Sequence, residues 1–115
     1  MIGREQLRAM KRSAYLINCA RGPLVDTEAL VEALRTGVIP AAGIDVYEVE
    51  PMPAGHPFFA LDNLLLSPHV AGITKSTVKR LSKSAVEQAL QVLRGEKPPR
   101  LVNPEVWEQF LERRK

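Results

Sequence analysis

One cysteine stands in 115 residues, so no disulfide can close within the chain and no site built from several thiolates can hold zinc. The lone Cys19 accords with a reducing compartment. Long apolar runs are also missing. The longest, such as Leu64 to Leu66 and Val70 to Ala71, fall far short of a bilayer span, and no basic-then-apolar signal stands at the start. The sequence therefore predicts a soluble, cytoplasmic protein with no membrane partner. Charge of one sign is scarce as well: 16 basic residues face 13 acidic ones, for a net charge of +3. The densest basic cluster, Arg113, Arg114 and Lys115, sits at the extreme C-terminus, and the other charges are mixed along polar helix faces. Without a basic stripe, no nucleic-acid partner is expected. There is no internal repeat and no low-complexity tract.

What is present is the composition of an ordinary globular chain, 45% hydrophobic and 25% charged with nine prolines, enough for one compact domain at most. Leu7 and Met10, three apart amid polar residues, predict a short amphipathic helix over Gly3 to Lys11. Ala14 to Cys19 is a compact apolar run, short enough for a buried strand, and the turn Arg21, Gly22, Pro23 ends it. Asp26 is placed to cap a helix carrying Leu30, Val31 and Leu34, and Gly37 to close it in a left-handed conformation. A second strand is expected over Ala42 to Tyr47 and a third over Leu64 to Ser67, with a Pro-rich loop between them. From Thr74 the residues Val78, Leu81, Ala85, Ala89 and Val92 follow steps of three and four, which predicts a long helix ending at Gly95. Pro98 and Pro99 make a stiff connector, and Asn103 with Pro104 signals the start of a last helix through Val106, Trp107, Phe110 and Leu111.

Strands alternating with helices imply βαβ units, hence an α/β fold with a parallel sheet covered on both faces, here about three strands of a Rossmann-like sheet. In such sheets ligands gather at the carboxyl ends of the strands. That directs attention to Arg21, to Glu48 through Pro51, and to His69. Arg21 can present a planar, permanently charged fork to a carboxylate, or it can be a surface arginine beside a turn; Gly22 is read as letting the backbone turn sharply there. Asp45 is the one polar residue in an apolar strand and needs a partner if buried; a cofactor amide, a helix cap or a salt bridge would each serve. His69, following Pro68 at the end of the third strand, suits a proton donor near neutral pH or a merely structural role. Glu50 can fix the tautomer of that imidazole if its loop comes beside it, with Glu48 a competitor. His56, among Pro and Gly at the loop tip, reads as an exposed histidine.

Together the strings LINCARGPLVDTEALVEAL, AAGIDVYEVEPMP and LLLSPHVAGIT, in this order and spacing, resemble the D-isomer-specific 2-hydroxyacid dehydrogenases, a family that includes phosphoglycerate dehydrogenase and glyoxylate or hydroxypyruvate reductases. The resemblance covers nearly the whole chain. It implies an oxidoreductase that exchanges a hydride between NAD, with NADP left open, and a small 2-hydroxy or 2-keto acid. It further implies Arg21, Glu50 and His69 as catalytic residues. Cys19, Ala20, Arg21, Asp45, His69, Val70, Ala71 and Gly72 are then the residues against the cofactor, with Asp45 on the nicotinamide carboxamide.

The chain departs from the family in one large respect: none of its seven glycines falls in a G-x-G-x-x-G loop, so the pyrophosphate site is absent. Residues 1–100 are therefore expected to be the C-terminal half of a dinucleotide-binding domain, and 101–115 a return segment toward a substrate domain. On this reading the chain is a truncated product or one piece of a split enzyme. It would expose an apolar sheet face and an unpaired strand edge, and so form a homo-oligomer or pair with an N-terminal half. The alternative is a non-catalytic fragment or interaction protein of the same family.

Overall fold

The computed structural model describes residues 1–114; Lys115, the last residue of the basic C-terminus and of the 101–115 segment, lies outside the described residues. The chain resolves into two compact units, Met1–Gly72 and Ile73–Lys115.

The first unit holds α1 (Arg4–Ala9), β1 (Leu16–Asn18), α2 (Thr27–Arg35), β2 (Ala42–Ile44) and β3 (Leu64–Leu66). The strands form a parallel sheet in the order β1-β2-β3, with Asn18, Ile44 and Leu66 aligned at the carboxyl end. This is the α/β arrangement expected. The helix α2 forms where local chemistry dictates. Asp26 accepts the Ala29 N–H at 2.9 Å, a cap of about 1 kcal/mol. Arg35 lies in the last turn, and Gly37 follows at φ 70°, a left-handed value that a Cβ would oppose.

One face of α2 supplies the core. Ala29, Leu30, Val31, Ala33 and Leu34 are buried together with Leu7 of α1, Ile39, Ala42, Ile44 and Phe58. Burying the Leu, Val, Ile and Phe side chains among these stabilises the unit by roughly 1.5–3 kcal/mol each, and the alanines contribute less. The opposite face of the sheet is bare within the first unit: the cover on both faces expected of the fold is missing there, and the exposed apolar face expected of half a sheet is present. Ile17, Gly43 and Leu65 are in register across the three strands, and Ile17 and Leu65 are 72% and 76% exposed. Period-two alternation fixes this outcome, because the residues flanking each of them point into the core.

The strands are also shorter than the apolar runs suggest. Two ladder-like bonds continue past them, from Asp45 N–H to the Asn18 carbonyl and from Ser67 N–H to the Ile44 carbonyl, both 3.0 Å. Beyond these, side chains take over the backbone groups. Tyr47 donates its N–H to Glu50 rather than to a neighbouring strand. β2 therefore ends before Tyr47.

The second unit comprises α3 (Lys75–Leu93) and α4 (Trp107–Glu112), the latter preceded by a single tight turn over Pro104–Val106. Thr74 caps α3 by accepting the Thr77 N–H at 3.1 Å, and Gly95 at φ 78° follows its end. None of the residues of α3 is buried. Arg114 donates from its guanidinium to the Val92 carbonyl and, at 2.7 Å, to that of Leu93, where the unpaired carbonyls of a helix end attract a cation. Trp107 is buried and stacks on Phe110 with ring centres 5.3 Å apart. Asn103 makes no capping bond through its side chain, contrary to the sequence pattern; the fixed φ of Pro104 starts the turn without it. No helix among the described residues is long and apolar enough to cross a membrane.

Candidate active site at the strand ends

Three loops leave the carboxyl ends of the strands, and buried polar side chains of the chain itself shape them. After β1, the buried Asn18 accepts the Ala20 N–H at 3.1 Å and donates its amide to the Arg21 carbonyl at 2.9 Å. This folds Cys19, Ala20 and Arg21 into an exposed turn. After β3, the equivalent work falls to Asp45, which is 3% exposed. Its Oδ1 accepts the Ser67 hydroxyl at 2.5 Å and the Val70 N–H at 2.9 Å, and its Oδ2 accepts the Ala71 N–H at 2.9 Å. The Ser67 hydroxyl, then the Ala71 and Val70 amides, hold the Asp45 carboxyl below its usual range against the opposing effect of burial. The partner that Asp45 requires is thus the turn carrying His69, which neither a helix cap nor a salt bridge describes.

His69 sits in that turn at φ 57°, a left-handed conformation uncommon outside glycine. Its N–H donates to the Ser67 carbonyl at 3.0 Å, and the two amides that follow it are the ones bound by Asp45. Its ring Nδ1 lies 2.8 Å from Oε2 of Glu50. The other oxygen of Glu50 accepts the Tyr47 N–H at 3.0 Å. The bond to His69, then that to Tyr47, keeps the Glu50 carboxyl below its usual range, with a further contribution from the positive charge of Arg21. Of the two candidates on this loop, Glu50 is the one in contact with His69; Glu48 is exposed and makes no side-chain bond among the described residues.

Tyr47 ties the loops together. Its hydroxyl lies 2.8 Å from the Ser67 carbonyl and 3.2 Å from that of Ile44. Burial, followed by the negative charge of Asp45, raises its pKa. On its other side Tyr47 meets Gly22 closely: a Cβ at Gly22 would fall 2.1 Å from the Tyr47 carbonyl carbon. Gly22 is required there by the approach of another backbone, whereas the sequence suggested a sharp turn.

Beside these groups opens a cleft of about 380 Å³ lined by Tyr47, Glu50, Met52, Phe59, Leu66 and His69, among others. Arg21 does not line it; its guanidinium is exposed and donates to the Ala20 carbonyl at 2.6 Å. Glu50 and His69 are therefore brought into contact, Val70 and Ala71 each donate an N–H to Asp45, and Cys19, Ala20 and Arg21 form a separate turn. Gly72 is exposed at the end of the third loop. His56 is half-buried, and its Nδ1 accepts the Phe58 N–H at 3.3 Å; it caps a short turn and is not simply solvated. Ser67, Tyr47 and Asn18 were not singled out by the sequence. Their one signal is position, since each is a polar or hydroxylated residue at or just past the end of an apolar strand.

Residues 1–71 match the family model described as D-isomer specific 2-hydroxyacid dehydrogenase, NAD binding domain. A glyoxylate reductase of Thermofilum pendens is 52% identical over 106 residues, which is 92% of this chain and 31% of that one. A glyoxylate/hydroxypyruvate reductase B of Erwinia tasmaniensis is 46% identical over 104 residues, 90% of this chain and 32% of that one. Among solved structures, a protein from Thermus thermophilus superposes with a TM-score of 0.78 at 53% identity, covering 87% of this chain and 32% of its own. The D-lactate dehydrogenase of Lactobacillus jensenii, solved with NAD+, gives 0.76 at 36% identity, covering 89% of this chain and 34% of its own. The chain spans about a third of the length of the curated relatives it matches.

Proposed function

As this chain belongs to the D-isomer-specific 2-hydroxyacid dehydrogenases, we propose that it carries the proton-transfer half of an NAD-dependent reduction of a small 2-keto acid such as glyoxylate. The observation that carries this reading is the 2.8 Å contact between Nδ1 of His69 and Oε2 of Glu50 beside an open cleft. A carboxylate on one ring nitrogen fixes the tautomer and stabilises the imidazolium, leaving the other nitrogen to give a proton to a carbonyl oxygen. Arg21, exposed on the neighbouring turn, is assigned to the substrate carboxylate, which its planar fork suits once the guanidinium leaves the Ala20 carbonyl for the cleft.

The donor set fits the nicotinamide end of the cofactor. A carboxylate offers about four acceptor positions, and Asp45 uses three of them on Ser67, Val70 and Ala71, which leaves one on Oδ2 for a carboxamide. Cys19, Ala20, Val70, Ala71 and Gly72 supply the neighbouring backbone. NAD is the cofactor proposed, with NADP an admissible variant. When bound in reduced form, it supplies a hydride to the carbonyl carbon. Residues 1–100 are assigned to the dinucleotide-binding domain and 101–115 to the return segment. The bare sheet face of Ile17 and Leu65 favours pairing with a second polypeptide, either another copy or the N-terminal part of the enzyme. The single exposed thiol suits the reducing cytoplasm.

The test is a calorimetric titration of the chain with NADH, followed by glyoxylate-dependent oxidation of NADH with the chain alone and with the N-terminal two-thirds of a relative added. Saturable binding and turnover that depends on His69 are expected. A chain that reduces no 2-keto acid under either condition, at high NADH, ends the proposal.

A further inference from the structure

Ser67 makes four hydrogen bonds within the site, as many as Asp45. Its N–H donates to the Ile44 carbonyl at 3.0 Å, which continues the sheet. Its own carbonyl receives the His69 N–H at 3.0 Å and the Tyr47 hydroxyl at 2.8 Å. Its hydroxyl donates to Oδ1 of Asp45 at 2.5 Å, the same oxygen that receives the Val70 N–H. The conformation of His69, at φ 57°, is one that an L residue holds only when its surroundings over-determine it. Here those surroundings are the amides on its C-terminal side, pinned by Asp45, and the carbonyl of Ser67 on its N-terminal side.

We propose that Ser67 is a positioning residue for His69, acting through Asp45. The hydroxyl fixes the orientation of the carboxylate, the carboxylate fixes the Val70 and Ala71 amides, and those amides hold the left-handed turn that presents the imidazole to Glu50. Without the hydroxyl, Asp45 keeps its two backbone bonds but loses the one that sets the rotation of its carboxylate plane, so the turn opens more often. This inference rests on the reading of His69 as proton donor only for its catalytic consequence; the positioning itself is independent of it.

The experiment is amide hydrogen exchange by NMR on the chain and on its Ser67→Ala and Ser67→Thr variants. Ser67→Ala is expected to lower the protection of the Val70 and Ala71 amides about tenfold and to shift the Nδ1 resonance of His69, while the Leu30 and Ala33 amides of α2 keep theirs. Ser67→Thr, which restores a hydroxyl, is expected to restore both. Should the alanine variant lose protection at Leu30 as well, Ser67→Cys carries the test, since it keeps a similar shape with a much weaker donor. Unchanged protection at Val70 and Ala71 in the folded variant lacking a hydroxyl overturns the proposal. The expected exchange pattern in a chain that turns over no 2-keto acid leaves the positioning standing and removes the function proposed above. Turnover with unchanged exchange does the reverse.

Discussion

Glu50 reaches His69 across 19 residues of sequence, its Oε2 lying 2.8 Å from the ring Nδ1, while its second oxygen is held by the Tyr47 N–H. The carboxylate is thus oriented before it meets the imidazole. Replacing it by an amide of the same shape removes the charge and puts an NH2 donor in place of one of the two accepting oxygens. In the 2-keto acid reduction proposed above, Glu50→Gln is expected to lower kcat by about 10²-fold with little change in KM, because on that proposal the charge matters as the imidazolium gives up its proton and not in binding the acid. Glu48→Gln, on the same loop, is expected to leave both constants unchanged. Steady-state kinetics of the two variants, side by side, checks the assignment.

Asp45 and Glu50 together set an acid limb of stability. Asp45 and Glu50 both have folded-state pKa values lowered from ordinary values of 3.8 and 4.5, by the Ser67 hydroxyl and by His69 respectively as the first causes. A lowered folded value means that the unfolded chain binds the proton more readily. The stabilisation is therefore fully present above the ordinary values and is lost as pH falls below about 4.5 and through the lowered ones. Circular dichroism followed from pH 6 downward should show acid unfolding of the first unit, with a shallower pH dependence in Glu50→Gln. A slope identical in that variant would assign the acid limb to other carboxylates.

How much of this was legible in the sequence depended on the distance over which each interaction acts. The cap at Asp26 and the stop at Gly37 follow from rules spanning three or four residues, and both stand as read. The contact of Asp45 with Ser67, Val70 and Ala71 joins residues 22 to 26 apart, and no local pattern announces it. The choice between Glu48 and Glu50 turned on which carboxylate the Tyr47 N–H would orient, a fact of loop geometry. Tyr47 itself looked like the end of a strand, because an aromatic residue after Ile44, Asp45 and Val46 continues the pattern; its backbone instead turns to Glu50. The cover on both faces of the sheet failed for a different reason. Apolar residues at Ile17 and Leu65 reveal that a face favours burial, but no element of the first unit covers them.

The approach of Gly22 to Tyr47 makes a stringent prediction. A methyl group at Gly22 would lie 2.1 Å from the Tyr47 carbonyl carbon, 2.2 Å from its oxygen and 2.5 Å from the Glu48 nitrogen, and backbone atoms cannot swing aside as a flexible side chain would. The loop after β2 must move away. Gly22→Ala is expected to cost about 1–3 kcal/mol of stability, measured by urea unfolding, and to withdraw Glu50 from His69 because both bonds of Glu50 depend on where Tyr47 lies. Gly55→Ala, whose added Cβ meets nothing within 4 Å, is the control and should be neutral. Equal stability of the two variants would show that the loops are not locked together in solution.

The core sets a last expectation, which separates folding from the chemistry of the site. Leu30 is wholly buried, with relative exposure 0%, on the face of α2 that meets the sheet, and Leu7 at 1% and Ile39 at 0% pack in the same cluster. Truncating Leu30 to Ala removes transfer free energy and leaves a cavity that rigid neighbours fill only in part, so a loss of about 2–5 kcal/mol is expected. That is a large fraction of what a unit this small can hold, and thermal unfolding should show a markedly lower Tm. Leu65→Ala, on the bare face at 76% exposure, should cost far less in the isolated chain. If Leu65→Ala instead proves as damaging as Leu30→Ala, and the loss depends on protein concentration, the bare face is buried between polypeptides in solution. Light scattering on both variants then tells association from folding.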